Sequence, residues 1–594
     1  MRLQSLTKWD DKPELDGLLF FAQLIDEMLF HYTLDSYKAP ALNTRLLCYE
    51  ASIVVEDIKS GVILSGALKP IIEELKWSLQ NDPIAQKIIG SKYTIYFESL
   101  TSNDLSLNDL SIRINSMLKT LEEHYFEETK NQLTQAVLNP HGKDLIRNLT
   151  RIFITDLINS GYHQNYVYFL ANRYFFEGKK PKRFTNPNQI EGFLNYFDFT
   201  EKEFKVVFKA SKAFLNLEKP LKYFEIELSE GIDLLTDYRL EKEFIDDLKE
   251  DEVFLIKKLE ALDHQGAREF AEEFLVKVSN FFGYYYHRYR PKWLPEAMVY
   301  RLSDNNIAVL DKKTGAVFSQ TDVSIKQASA KSEITIKNML TLENSSFSRF
   351  NRAIDLHGVA LEANAIENQL LDLWAAFESL LPKISDDGKD RICYLCEAIN
   401  PILRYNYITR LIRCFISDTL NRGKTEVYDI YKNILDGTNL VEKTSALLSI
   451  SSNEDLRKRV YSKLNRFPLL KNRMYILSQH FSSANSISNL LSNHSKRVTW
   501  HIMRIYRTRN LIIHTGKVLP YTETLVENLH SYLDQILDQI KDFAISKKIN
   551  DIEQVILETK LADELHQRLL QQGKKQVCES SNFKSFLFGN INSI

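Results

Sequence analysis

The chain has 594 residues, of which 44% are apolar and 26% charged, and it is long enough for several domains with large cores. Seventy-six basic and 78 acidic side chains leave a formal charge of −2, with no overall bias toward a polyanion. Five cysteines at irregular positions make no disulfide framework, and the best apolar run, 18–34, is interrupted by Asp26, Glu27 and His31, which excludes a membrane span.

Glycine (19) and proline (14) are scarce, which favours long helices. The first residues carry no apolar signal-peptide core, so a cytoplasmic protein without membrane contact is expected. Apolar residues at three- and four-residue steps predict helices over 15–34, 43–58, 68–79, 107–136, 143–160, 201–217, 232–262 and 267–282. Breakers stand at Asn139 to Gly142 and at Gly178 to Arg183; the second, followed by Asn186-Pro-Asn, is the better internal boundary. The aromatic-rich stretch from Tyr162 to Phe176 reads as core. From Tyr284 to Trp293 the chain is aromatic and basic, a composition that suits a domain joint or stacking on nucleic-acid bases. Short strands are expected over 297–302, 307–310 and 316–318, with turns at 304–306 and 312–315, giving a small β-meander.

Beyond 345 the chain turns helical again. Segments 354–381, 392–417, 427–435, 444–449, 454–464, 474–481, 486–491, 497–515, 523–545 and 551–572 carry helical periodicity, and the tail from Gly573 reads as loosely held. The expected fold class is therefore mainly α and multi-domain. It comprises an N-terminal helical domain (1–285), a small β-containing connector (286–344), a C-terminal helical bundle (345–545), and a last helix with its tail (546–594).

Charge is distributed unevenly within that frame. Between 456 and 522 there is no Asp or Glu, yet thirteen Lys and Arg occur, leaving the remainder near −15. A basic field on an acidic chain is the footprint of a polyanion partner, most simply nucleic acid. Lys496, Arg497, Arg504, Arg507 and Lys517 are the expected phosphate contacts. The helix over 497–515 stops at Gly516, with Pro520 beyond it. Near its end stand Arg509, Asn510 and His514; at 100° per residue Arg509 and His514 lie about 140° apart, within one broad face.

Arg509-Asn510-x3-His514 resembles the Arg-polar-x3-His signature of HEPN domains, and the Arg507–His514 spacing also fits its looser form. The upstream segment from Asn368 through Trp374 and Glu378 to Leu381 is similar to the helix that precedes the motif in ApeA-like HEPN proteins of bacterial antiphage defence. The resemblance spans about 345–545. It implies a helical bundle and a metal-independent ribonuclease, with Arg509, Asn510 and His514 catalytic and Trp374 and Glu378 in support. It also implies a homodimer or higher oligomer whose motifs face each other, cleavage of host RNA such as tRNA, and a phage-derived trigger sensed by the N-terminal half. A second Arg-x4-His, Arg352 to His357, lacks the polar residue and lies outside the basic window; it reads as a chance match.

Other signatures fail. Cys393-x2-Cys396 has no second pair at zinc spacing, and Gly423-Lys-Thr425 and Gly516-Lys517 lack the leading glycine of a phosphate loop. No metal ligand set and no cofactor are expected. The expected chemistry is attack of the substrate 2′-OH on the adjacent phosphorus, leaving a 2′,3′-cyclic phosphate and a 5′-OH. A histidine moves protons and an arginine fork stabilises the charged phosphorane. Two other readings stand beside it: a non-catalytic RNA-binding or oligomerisation module of the same fold, and a helical scaffold or sensor meeting a protein or membrane surface.

Overall fold

The computed structural model describes residues 4–61, 66, 68–101, 106–139, 141–178, 181–233, 239–312, 315–318, 322–381 and 391–589. The Asp386 to Asp390 stretch, whose Asp-Asp-Gly-Lys-Asp sequence reads as a loop, and part of the turn expected at 312–315 lie outside them, as do the side chains of 422–426. The protein is mainly α-helical with one five-stranded sheet. No helix among the described residues is long and apolar enough to cross a membrane.

Two compact units divide the chain along lines that differ from the expected domains. The larger holds 1–155, 181–190 and 315–594; the smaller holds 156–180 and 191–314. The N-terminal 155 residues thus belong to the same unit as the basic window. The boundary expected near 285 falls inside the smaller unit, whereas the breaker region at 178–188 does coincide with a change of unit.

In the smaller unit the sheet order is β2-β3-β1-β4-β5, all antiparallel: β1 Lys202–Ser211, β2 Ile226–Ser229, β3 Glu252–Ala261, β4 Trp293–Arg301 and β5 Asn306–Leu310. Two strands replace expected helices. Phe204, Val206, Phe208 and Ala210 alternate onto one face, where Ala267, Ala271, Leu275 and Val278 of the His264–Tyr285 helix cover them. Val207, Phe254, Ile256, Met298 and Tyr300 take the other face beneath Phe244. Runs buried on both faces show apolar residues at mixed spacings, which the 3.6 period also fits. The expected third meander strand, Ala316–Phe318, is a single 3-10 turn. Of the aromatic stretch expected as core, Tyr162, Tyr174, Phe175 and Phe176 are buried but Phe169 is exposed, and Tyr284, Tyr285, Tyr286 and Tyr289 are exposed rather than packed in a joint.

The larger unit is built from helices throughout. The Asp16–Leu29 helix is almost entirely buried, and its charged residues are satisfied there: Asp26 accepts from Gln4, and Glu27 pairs with Arg473. The helix expected over 354–381 is instead a hairpin, Asn344–Glu362 and Ile366–Ser379, turned at Ala363, whose backbone is extended. Gln369 holds that turn by donating to the Ala363 carbonyl at 2.8 Å. The tail is not loose either. Cys578, Phe583, Phe586 and Leu587 enter the core formed by Tyr407–Lys432, Leu440–Ser449 and Pro468–His480, so the apolar spacing in the last twenty residues carries a buried helix, Phe583–Phe588.

Candidate functional site

The motif stands on a helix of 32 residues, Ala484–Thr515, which joins the two segments expected at 486–491 and 497–515. The Ser483 hydroxyl caps its start by accepting from the Ser486 amide at 3.2 Å. Gly516 ends it at φ +68°, where a side chain would be strained, and its amide donates to the Ile512 carbonyl at 2.8 Å. Ile502, Ile505, Thr508 and Ile512 bury one stripe. Trp374 packs against this helix, its ring 5.8 Å from that of Tyr506. Glu378 does not reach the motif; it pairs with Arg391 at 3.1 Å.

Arg509 is half-buried and donates from Nη1 to the Asn510 side-chain oxygen at 2.9 Å. That contact engages one edge of the guanidinium fork. His514 is exposed one turn beyond Asn510, beside Lys517 and the exposed apolar pair Ile513 and Val518. No carboxylate among the described residues pairs with Arg509, His514 or Lys517. No hydrogen bond joins Arg509 to His514, as their angular separation on the helix requires.

The rest of the basic window divides in two. Lys496 and Lys517 are exposed, as a phosphate contact must be. Arg504 corrects the expectation: it is 1% exposed and clamps two carboxylates, Glu50 at 3.1 and 2.9 Å and Glu74 at 3.3 and 2.6 Å. Arg507 also turns inward, to Glu50 at 2.8 Å. Arg473 is buried between Glu27 and Asp418 over the Tyr37 ring. The carboxylates on these arginines come from outside the window: Glu27, Glu50 and Glu74 from the N-terminal helices and Asp418 from the Tyr407–Lys432 helix. Burial alone would push the Glu50 carboxyl up, but Arg504 and Arg507 outweigh it and hold it at about 2. Glu74 shares only Arg504 and feels Glu50 beside it, so burial prevails and its carboxyl is raised.

Arg497 also faces inward. It donates to the Tyr407 hydroxyl at 3.3 Å and lines a pocket of about 130 Å³ with Asp35, Arg151, Trp500 and His501. Burial pushes His494 and His501 down to about 3, so both are neutral imidazoles near pH 7. Burial likewise lowers the Arg151 guanidinium to about 9. No sequence signal marked this group, because its members come from four separate helices and loops. It does not adjoin the motif: His501 precedes His514 by about 20 Å of helix at 1.5 Å per residue.

The second Arg-x4-His does not form a paired site, yet His357 is not idle. Its Nε2 lies 2.8 Å from Nε2 of His530 and 3.9 Å from Oδ1 of Asp534, and the His530–Asp534 distance is 3.5 Å. Burial lowers both imidazoles, and it pushes the Asp534 carboxyl up to about 6 against the pull of His357. Compared with known proteins, the chain matches no family model, no curated protein and no solved structure.

Proposed function

We propose that the protein is a metal-independent endoribonuclease of the HEPN type, acting through Arg509, Asn510 and His514. The observation that carries this reading is the end of the motif helix. Arg509, held by Asn510, and the exposed imidazole of His514 stand on the last turns of one helix, followed by exposed Lys517, and no carboxylate among the described residues pairs with any of the three. Arg509 would hold non-bridging phosphate oxygens and stabilise the phosphorane, while His514 moves a proton at the 2′-OH or the leaving 5′-oxygen. One chain offers one such histidine. The exposed Ile513 and Val518 flank it and suit a twofold contact that brings a second motif opposite, completing an acid–base pair. By its resemblance, the substrate is host RNA, tRNA among the candidates, cut in antiphage abortive infection after a phage-derived trigger. The test is incubation of the purified full chain with RNA in EDTA. Cyclic phosphate and 5′-OH ends are expected, and they disappear in His514→Ala at unchanged helicity.

A second reading rests on the buried arginines. Arg473, Arg504 and Arg507 are committed to buried carboxylates outside the window, Glu27, Glu50, Glu74 and Asp418, which favours a helical scaffold whose basic window serves its own assembly. That reading expects no cleavage of any RNA and no salt-dependent binding.

A further inference from the structure

We propose that His357, His530 and Asp534 bind a divalent transition-metal ion, zinc most simply, which staples the Asn344–Glu362 helix to the Thr522–Ser546 helix. His530 and Asp534 are four residues apart on the second helix and so project from one face. His357 meets them from the first helix, and the three ligand atoms lie within 4.8 Å of one another. A tetrahedral ion with bonds of about 2.0–2.1 Å places its ligand atoms about 3.3 Å apart. The distances of 3.5 and 3.9 Å to Asp534 are close to that value, and the 2.8 Å between the imidazole nitrogens opens to it with a small ring rotation.

The donor set argues the same way. Both imidazoles present Nε2 to a common point, although two neutral rings meeting there can share only one proton. An ion uses both lone pairs, and the Asp534 carboxylate adds charge to hold it. Two nitrogens and one oxygen suit zinc, and three protein ligands leave a fourth position for water. Asp534 is 37% exposed and opens that position to solvent, whereas His530 is 5% exposed and anchors the site. The role is a cross-link rather than part of the proposed cleavage. Tyr532, between the two ligands on their helix, meets His501, which is about 20 Å of helix away from His514.

The test uses the full chain, stripped with EDTA, dialysed and titrated with zinc chloride by calorimetry. The bound metal is counted by mass spectrometry, and cobalt(II) absorption reports the geometry. One ion per chain is expected, with the thermal midpoint raised by about 2–5 °C at a hundredfold excess over the dissociation constant. His357→Gln and Asp534→Asn, both at accessible positions, should keep the apo protein folded by circular dichroism and weaken zinc at least tenfold. Failure of the wild type to bind zinc overturns the proposal, as does zinc binding by both variants at wild-type affinity. RNA cleavage in EDTA is read separately, so loss of this site and loss of the proposed activity are distinguishable.

Discussion

Replacing Arg504 with alanine separates a phosphate-binding arginine from a structural one. The guanidinium is 1% exposed and makes four hydrogen bonds to Glu50 and Glu74. Removing it leaves two carboxylates in a low-dielectric site with only Arg507 nearby. Breaking a buried ion pair in this way costs about 3–5 kcal/mol, a large share of the roughly 5–15 kcal/mol that stabilises a domain. At roughly 2 °C per kcal/mol, the thermal midpoint falls by about 6–10 °C. Differential scanning calorimetry and a urea titration measure the loss, with Lys496→Ala as the exposed control, expected within about 0.5 kcal/mol of wild type. An Arg504→Ala protein that melts with the wild type but loses salt-dependent RNA affinity would refute the buried-clamp account and restore Arg504 to the nucleic-acid surface.

Arg509→Ala should lower RNA turnover on the order of a hundredfold with little change in binding, because it faces charge that develops in the transition state; single-turnover kinetics separate the two. Lys496→Ala and Lys517→Ala should each reduce the slope of log affinity against log salt by about 0.7 for single-stranded RNA. Acid should reveal Glu50: its carboxyl is depressed from 4.5 to about 2, so its stabilisation is complete above pH 4.5 and is lost as pH falls toward 2. The raised Glu74 carboxyl works the other way and at higher pH: above 4.5, falling pH protonates it in the fold first and relieves its burial cost. A Glu50→Gln variant should therefore lose stability less steeply between pH 4.5 and 2 than the wild type, measured by urea midpoints.

Local signals were legible where local physics decides. The motif helix ends at Gly516 as its left-handed backbone requires, and most helices of the larger unit follow their 3.6-residue apolar spacing. Strands β1 and β3 were not legible as strands, because Phe204 to Ala210 and Val253 to Ile256 are buried from both faces and offer the helical period enough matches. The acid-free window was visible, but its meaning was not. Glu27, one of the two carboxylates on Arg473, and the pair on Arg504 lie 430 to 454 residues away, and charge patterning along a chain does not reveal pairings at that distance. The same holds for His357 and His530, 173 residues apart: a spacing rule finds ligand pairs within one helix, and a third ligand from another helix escapes it. Arg509, Asn510 and His514 share one helix end, as their spacing dictates, and Trp374 packs on Tyr506 of that helix.

The measurement that bears most directly on the central claim is sequencing of RNA with 5′-OH ends from cells producing the wild-type chain or His514→Ala at equal levels. The account predicts a set of discrete new ends in the wild type that is absent with His514→Ala and retained with His357→Ala. The same ends from wild type and His514→Ala, or their loss with His357→Ala alone, would contradict it.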